Sequence, residues 1–257
     1  MQEQNRKTEG KSYSKWLWHG LLQLAIALAI SSVVIIFAYR FINPPLTWLM
    51  VERYFFKKET RFKPILQSWK SIEDISPNIT HAFIAAEDNL FPTHFGFDFE
   101  SIRKASNQNK QGKRMRGAST ISMQVAKNVF LWHGRTWVRK GFEAGFTLLI
   151  ETFWTKKRIM EVYTNIVELG PSVYGVQAAS QKYLKKDASK VNIHEAALMA
   201  SALPNPLQRN IAKPSKTMSG YQKLVLQRMK NIKRYNFVEV NDKKHSPEKE
   251  KSITSKK

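Results

Sequence analysis

A long apolar run near the amino terminus constrains this chain more than any other feature. Residues 16–41 read WLWHGLLQLAIALAISSVVIIFAYRF, in which only His19, Gln23 and Arg40 are strongly polar. A helix rises about 1.5 Å per residue, so the uninterrupted middle of this run can cross a hydrocarbon layer of roughly 30 Å. Aromatic residues stand at both ends, where interfacial side chains are found in membrane helices. The run therefore predicts a transmembrane helix over residues 16–41.

A cleaved signal peptide is the alternative interpretation of this run. The apolar stretch is longer than the about 7–15 residues typical of a signal peptide's hydrophobic region. No small-residue cleavage site closes it before Tyr39 and Arg40. We therefore expect an uncleaved anchor. Its orientation is not fixed by charge, because similar numbers of basic residues flank the two ends: Arg6, Lys7, Lys11 and Lys15 before it, and Arg40, Arg53, Lys57 and Lys58 after it.

The charge balance narrows the kind of partner. The formal net charge is +22, which suits a polyanion such as nucleic acid, an anionic membrane surface or a phosphate-bearing substrate. Charge alone does not choose among these three. The chain contains no cysteine, which excludes disulfides, thiolate zinc sites and a thiol nucleophile.

Composition divides the chain into five segments. Hydrophobic residues make up 42% of the sequence, enough for one good-sized domain besides the anchor. The pattern beyond the connector is helical and strand-like alternation is scarce, so we predict an all-α fold. The predicted segments are a basic tail (1–15), the transmembrane helix (16–41), a membrane-proximal connector (42–75), the functional domain (76–240) and a disordered basic tail (241–257).

The first helix of the domain carries a candidate catalytic carboxylate. Ser76 followed by Pro77 predicts a helix start. Ile79, Phe83 and Glu87 then follow at four-residue steps and share one face. Burial at the end of this apolar stripe would raise the pKa of Glu87 and make it a proton acceptor near neutral pH. The local pattern alone favours a surface glutamate at a fraying helix end.

The residues that follow Glu87 carry a more specific signal. Residues 87–98 have the form E-D-x-x-F-x-x-H-x-G-x-D. This pattern resembles the first signature of the peptidoglycan glycosyltransferases, the polymerase domain of class A penicillin-binding proteins and of the monofunctional biosynthetic peptidoglycan transglycosylases. Metal ligation by Glu87, His94 and Asp98 is the competing interpretation, although the set lacks the helical spacing of a zinc hydrolase.

A second block lies at residues 116–128, RGASTISMQVAKN. Its glycine and Ser119-Thr120 predict a turn into a helix whose first N–H groups are free to bind an anion. Thr120, Gln124 and Lys127 would share one face of that helix, which could bind a pyrophosphate or could be an ordinary solvated face. The block resembles the family pattern G-x-S-T-I-x-x-Q-x-x-K-N, with Met123 where many relatives carry glutamine.

Two further blocks complete the resemblance. Arg139 and Glu143 stand one helical turn apart and can form an ion pair. This spacing alone is equally typical of an ordinary surface ion pair. The family's third signature, R-K-x-x-E, places its second important carboxylate at Glu143. Residues 156–165 resemble K-x-R-I-x-E-x-Y-x-N, which we interpret as scaffold. The resemblance covers about residues 76–235 and is closest to the monofunctional members of the family.

The resemblance implies a lysozyme-like helical domain on the outer, periplasmic side of the cytoplasmic (inner) membrane, held by a single-pass helix. The implied substrates are lipid II and the growing glycan strand, and the implied contacts are membrane lipids and proteins of cell-wall synthesis or division, with no nucleic acid. Catalysis would fall to Glu87 as general base and to Glu143. The implied substrate-binding residues are Asp88, Phe91, His94, Ser119, Thr120, Gln124, Lys127, Arg135, Arg139 and Lys140. No residue is assigned to a metal and no cofactor is required, although Mg²⁺ or Mn²⁺ beside the diphosphate stays open.

Three points stay open in the sequence. Residues 103–116 form a basic segment that reads either as a mobile lid or as a solvated connection. A lytic enzyme that cleaves glycan strands is the nearest alternative function, because a lysozyme-like domain with a catalytic glutamate can also hydrolyse. A membrane-tethered polyanion binder is the more distant one, and no recognised nucleic-acid motif supports it.

Overall fold

The computed structural model describes residues 2–110, 119–134 and 136–237, and its regular structure is mainly helical. The helices are α1 (Gln2–Tyr39), α2 (Trp48–Phe56), α3 (Pro77–Glu87), α4 (Phe99–Lys110), α5 (Ile121–Phe130), α6 (Trp137–Phe153), α7 (Lys156–Ile166), α8 (Val176–Ala179), α9 (Ile193–Ala202) and α10 (Lys216–Asn231). Shorter helical turns cover Ile72–Asp74, Ser180–Leu184 and Ala188–Lys190. The predicted helical class is confirmed. Arg135, part of the basic segment 103–116 and the tail 241–257 lie outside the described residues.

Helix α1 is longer than the predicted transmembrane segment at its amino-terminal end and slightly shorter at its carboxyl end. Its apolar part, Trp18–Tyr39, has 22 residues with a mean hydropathy of 2.6, and only 6% of that stretch is buried. A helix of this length and composition is compatible with a single-pass membrane anchor.

The last turn of α1 is fastened to the domain. Ile36 is fully buried, and the Trp154 indole donates to its carbonyl oxygen at 2.7 Å. The Arg158 guanidinium donates to the carbonyl oxygens of Tyr39 and Ile42, at 2.9 Å and 2.8 Å for Nη2. Because the carbonyls at a helix end have no partner within the helix, these contacts cap α1 from the domain side.

A small sheet joins the connector to the domain. Strand β1 (Leu66–Gln67) pairs in parallel with β3 (Val173–Tyr174), which pairs antiparallel with β2 (Glu168–Gly170). Arg53 of α2 also forms an ion pair with the buried Glu168 at 3.1 Å. The connector therefore packs as part of the folded unit. Strands of two or three residues are too short to give readable alternation in the sequence.

Helix α3 runs through the core. Ser76 accepts a hydrogen bond from the N–H of Asn78, and Pro77 is the first helical residue, so the predicted start is confirmed. Every residue of α3 from position 79 to 86 is buried, and the helix packs against α9 and α10. The Phe83 ring meets the Tyr163 ring edge to face at 5.9 Å. A helix buried on all sides in this way holds its carboxyl end, Glu87, in a fixed place.

Candidate active site

A groove with a volume of about 1130 Å³ begins at the carboxyl end of α3. Its walls come from the end of α3, from α4, from the first turn of α5 and from α10. Glu87, Asp98, Ser119 and Gln124 line it, and Arg228 lines it from α10. The first and second sequence blocks thus meet in one concave site, as expected of a pocket that binds a substrate.

Glu87 is half-buried and held by a chain of two hydrogen bonds. Gln124 Nε2 donates to Glu87 Oε2 at 2.8 Å, and the Tyr163 hydroxyl donates to Gln124 Oε1 at 3.1 Å. Because Tyr163 can give its proton to the amide oxygen, the amide nitrogen faces Glu87. Oε1 of Glu87 accepts no hydrogen bond from any of the described residues, and Glu87 lines the groove.

Burial raises the pKa of Glu87 above its ordinary value. The hydrogen bond from Gln124 and the positive charge of Lys127 oppose this rise in pKa. The Asp88 carboxylate increases it, and the positive charge of Arg228 opposes it. A raised pKa makes a carboxylate a stronger base once it is ionised. The expected direction of the pKa shift of Glu87 is therefore found, and its role as a proton acceptor stays a prediction.

Asp88 and His94 brace the site beside Glu87. Both oxygens of the buried Asp88 lie 2.9 Å from His94 Nε2, and Asp88 Oδ2 also accepts the N–H of Ile121 at 2.9 Å. The Thr120 hydroxyl accepts the N–H of Met123 at 3.2 Å. The prediction that the start of α5 offers free N–H groups to a substrate anion is thus wrong for these two groups, because the protein's own side chains occupy them.

Gly96 lets the loop after His94 lie flat against α6. Its φ is +80°, and a Cβ there would stand 2.8 Å from Thr147 Cγ2 and 3.1 Å from Glu151 Cγ. The Thr120 hydroxyl donates to the Gly96 carbonyl oxygen at 2.6 Å. Only glycine tolerates this backbone angle and this close approach together.

Two of the predicted substrate-binding residues have structural contacts instead. Phe91 is fully buried, with Lys156 Nζ 4.6 Å from its ring centroid, so it supports the site from the core and presents no surface to a substrate. Thr120 borders the groove, but its hydroxyl is already committed to the contacts with Gly96 and Met123. Ser119 is exposed at the groove and is free to contact a ligand.

The third sequence block forms a cationic cluster around a buried carboxylate. Glu143 is 2% exposed; Arg139 Nη1 donates to its Oε2 at 2.6 Å, and Lys140 Nζ pairs with its Oε1. Arg139 Nε donates to the Gly134 carbonyl at 2.7 Å. The predicted pair is confirmed, but it is buried and is no surface ion pair. Both oxygens of Glu143 are occupied, so this carboxylate holds two cations in place.

Lys127 links the cluster to Glu87. It lies on α5 one turn after Gln124, beyond the residues that line the groove. Burial lowers its pKa, while the charges of Glu143 and of Glu87 oppose that lowering. Since one ammonium interacts with both carboxylates, Glu87 and the cationic cluster are electrostatically coupled.

Helix α10 forms a wall of the groove that the sequence did not predict. Thr217, Tyr221, Leu224 and Arg228 recur on one face of the helix and line the groove. Nearby, the Arg209 guanidinium lies over the Tyr221 ring at 5.3 Å. The spacing was visible in the sequence, but it is also the spacing of an ordinary core-facing helix.

Metal ligation by Glu87, His94 and Asp98 finds no support in the geometry. Within residues 2–110, 119–134 and 136–237, no group of three or more histidine and acidic side chains is arranged to hold a metal ion. His94 directs Nε2 to Asp88, and Asp98 accepts the N–H of Ser101 at 2.9 Å, where it caps α4.

Comparison with known proteins agrees with this geometry. The family model described as Transglycosylase matches residues 57–230. A biosynthetic peptidoglycan transglycosylase from Xylella fastidiosa (strain 9a5c) is 47% identical over 206 residues, covering 79% of this chain and 84% of the relative. Proteins with the same name from Bdellovibrio bacteriovorus and Shewanella oneidensis are 46% identical over 224 residues and 42% identical over 222 residues. These alignments cover 87% and 86% of this chain and 88% and 95% of the relatives.

Proposed function

Since this chain belongs to the transglycosylase family, we propose that it polymerises peptidoglycan glycan strands from lipid II, forming β-1,4 links and releasing undecaprenyl diphosphate. It is a peptidoglycan glycosyltransferase that acts in cell-wall synthesis, and its substrates are lipid II and the growing strand. One observation carries the assignment of roles within the site. A half-buried carboxylate with one free oxygen faces the groove, and it interacts with the ammonium of Lys127, which also interacts with Glu143 of the cationic cluster.

Glu87 is the general base in this proposal. Its free Oε1 accepts the proton of the acceptor sugar's 4-hydroxyl, and the resulting oxygen attacks the anomeric carbon of the donor strand. The bond from that carbon to the diphosphate oxygen breaks as the new glycosidic bond forms, which inverts the carbon from α to β. Gln124 keeps Glu87 oriented through Oε2, and Asp88 and His94 hold the turn that follows it.

The cationic cluster receives the leaving group. Developing charge on a diphosphate is best stabilised by fixed cations in a site that is poor in water. Lys127 is a half-buried ammonium with a lowered pKa, and a bound diphosphate would favour its charged form. Arg139 and Lys140, fixed by Glu143, supply further charge, and Arg135 is proposed as a fourth cation. Glu143 acts by holding these cations, and a divalent cation bound with the diphosphate is compatible with this role.

The membrane brings the lipid-linked substrate to the groove. We place α1 in the cytoplasmic membrane, with the basic tail (1–15) inside and the domain outside. Several large apolar side chains on α2, α4 and α6 are exposed, among them Phe56 at 79%, Phe99 at 75% and Trp137 at 90%. Exposed aromatic side chains of this kind suit contact with lipid headgroups and acyl chains.

The function is tested by offering the protein two substrates separately. With labelled lipid II we expect glycan polymer, and with purified sacculi no soluble fragments. Fragments from sacculi without polymer from lipid II would establish the lytic alternative. The cationic cluster argues against that outcome, because an uncharged glycan offers these cations no partner. A nucleic-acid binder would show neither reaction and a steep dependence of binding on salt.

A further inference from the structure

Arg228 of α10 approaches the catalytic carboxylate from a helix that carries none of the four sequence blocks. It is half-buried and lines the groove, and its Nη1 donates to the carbonyl oxygen of Ala86 at 3.3 Å. Ala86 precedes Glu87 in the last turn of α3. The carbonyls of that turn lack partners within the helix, so a guanidinium from another helix both satisfies one and places a positive charge beside Glu87.

We infer that Arg228 is a positioning residue that keeps Glu87 ionised and correctly placed while the diphosphate is bound. This inference rests on the proposed function of Glu87. Lys127 is the other cation near Glu87, but its charge also interacts with Glu143 and would be engaged by the diphosphate of the bound substrate. Arg228 lies on α10, which packs against α3 and α9, whereas the cluster lies on α6. Its charge is therefore separate from the Glu143 cluster, where we expect the diphosphate to bind.

The surroundings of Glu87 are consistent with this role. Arg228 opposes the rise in the pKa of Glu87 that burial causes, and it also interacts with the hydroxyl of Tyr221. Charged and titratable groups from four elements face Glu87: Asp88 after α3, Lys127 on α5, Tyr163 on α7, and Tyr221 and Arg228 on α10. Apart from Lys127, Arg228 is the cation among these described groups.

The alternative is that Arg228 only caps α3, and substitutions can separate the two roles. Arg228→Gln keeps a side-chain N–H that can donate to Ala86 but removes the charge. Arg228→Lys keeps the charge. Arg209→Gln is the matched control, because Arg209 lies on the same wall and contacts the Ser201 carbonyl at 2.5 Å, and it is not among the groups that shift the pKa of Glu87.

The experiment is the pH profile of kcat for lipid II polymerisation by the full chain in detergent. We expect the acidic limb of Arg228→Gln to move upward by about half to one pH unit, because loss of a nearby positive charge makes Glu87 harder to ionise. Below the midpoint this shift appears as a loss of activity of about three- to ten-fold. Arg228→Lys and Arg209→Gln should keep the wild-type limb. If Arg228→Gln does not fold, Arg228→Met, which keeps the apolar stem, carries the same expectation.

An unchanged limb in a folded, uncharged Arg228 variant would overturn the inference, and so would an equal shift in Arg228→Lys. The proposed function fails separately, through the absence of polymer from the wild-type protein or through full activity of Glu87→Gln. Polymer from wild type, none from Glu87→Gln and an unshifted Arg228→Gln would leave the function standing and remove only the role of Arg228.

Discussion

At the scale of single residues, the site depends on how one carboxylate is desolvated and oriented. Glu87 would be an ordinary surface acid in water, but α3 buries its stem, and Gln124 and Tyr163 fix which oxygen faces the groove. The same arrangement that makes it a better base makes its ionised form less stable in the folded protein.

Gln124→Leu tests the orientation of the carboxylate. The substitution removes the hydrogen bond to Glu87 and leaves the buried Tyr163 hydroxyl without its partner. A hydrogen bond to a charged group contributes about 1.5–3 kcal/mol, so we expect kcat for polymerisation to fall about 10- to 100-fold with little change in KM. The control is Gln222→Leu on α10, whose amide donates to the His194 carbonyl. A Gln124→Leu enzyme with wild-type kcat would show that the orientation is unimportant.

Glu87→Gln tests the cost of that buried charge. Because the pKa of Glu87 is raised in the folded state, the wild-type protein loses stability as the pH rises from the unfolded-state pKa through the folded one. The variant has no charge to bury, so its Tm should exceed that of wild type at pH 8, and the difference should shrink toward pH 4. The neutralising control is Glu100→Gln, at a side chain that is 57% exposed. Equal Tm differences at both pH values would contradict the assignment.

At the scale of elements, local sequence patterns predict where helices begin and end. They do not predict which residues meet in the folded protein. The start of α3 is predictable because Ser76 and Pro77 act on the turn that contains them. The partner of the first N–H of α5 is not predictable, because Asp88 lies 33 residues away in the chain. The carboxylate of Asp88 accepts the N–H of Ile121, which the sequence had suggested would bind a substrate anion.

Gly96→Ala tests the loop that joins these elements. The positive φ and the 2.8 Å approach to Thr147 leave no room for a methyl group. We expect a loss of about 1–3 kcal/mol in the free energy of unfolding, together with reduced polymerisation, because the loop carries His94 and Asp98. Gly145→Ala on α6 is the opposite case. A Cβ there meets open space, so that variant should be as stable as wild type or more stable by up to about 1 kcal/mol. Chemical denaturation of both variants decides, and equal effects would contradict the steric argument.

At the scale of the whole molecule, helix α1, the groove and the cationic cluster belong to one connected structure. The apolar run and the helical pattern made α1 and the helical class predictable, and the four blocks predicted which side chains meet at the groove and in the cluster. They did not predict the α10 wall, because Arg228 lies far along the chain from Glu87 and its spacing is that of any amphipathic helix. They also did not predict that Phe91 would be buried, since an aromatic residue suits a core and a binding surface equally well.

Arg158→Ala tests whether the docking of the anchor matters for function. Removing the guanidinium frees the carbonyls of Tyr39 and Ile42 and loosens α1 from the domain. We expect polymerisation of full-length lipid II in vesicles to fall about ten-fold, since small misplacements of a bound substrate are costly. With a short-chain lipid II analogue in detergent, the Arg158→Ala variant should be nearly as active as wild type. Lys157→Ala, which removes only the exposed ion pair with Glu73, is the control. Equal losses in both assays would mean damage to the domain itself.

The most direct measurement of the central claim is polymerisation of lipid II by Glu87→Gln beside wild type, with lipid II binding measured on the same samples. We expect polymer from wild type and none from the variant, while binding persists because Lys127, Arg139 and Lys140 are untouched. Polymer from the variant at a rate near that of wild type would contradict the claim that Glu87 takes the proton.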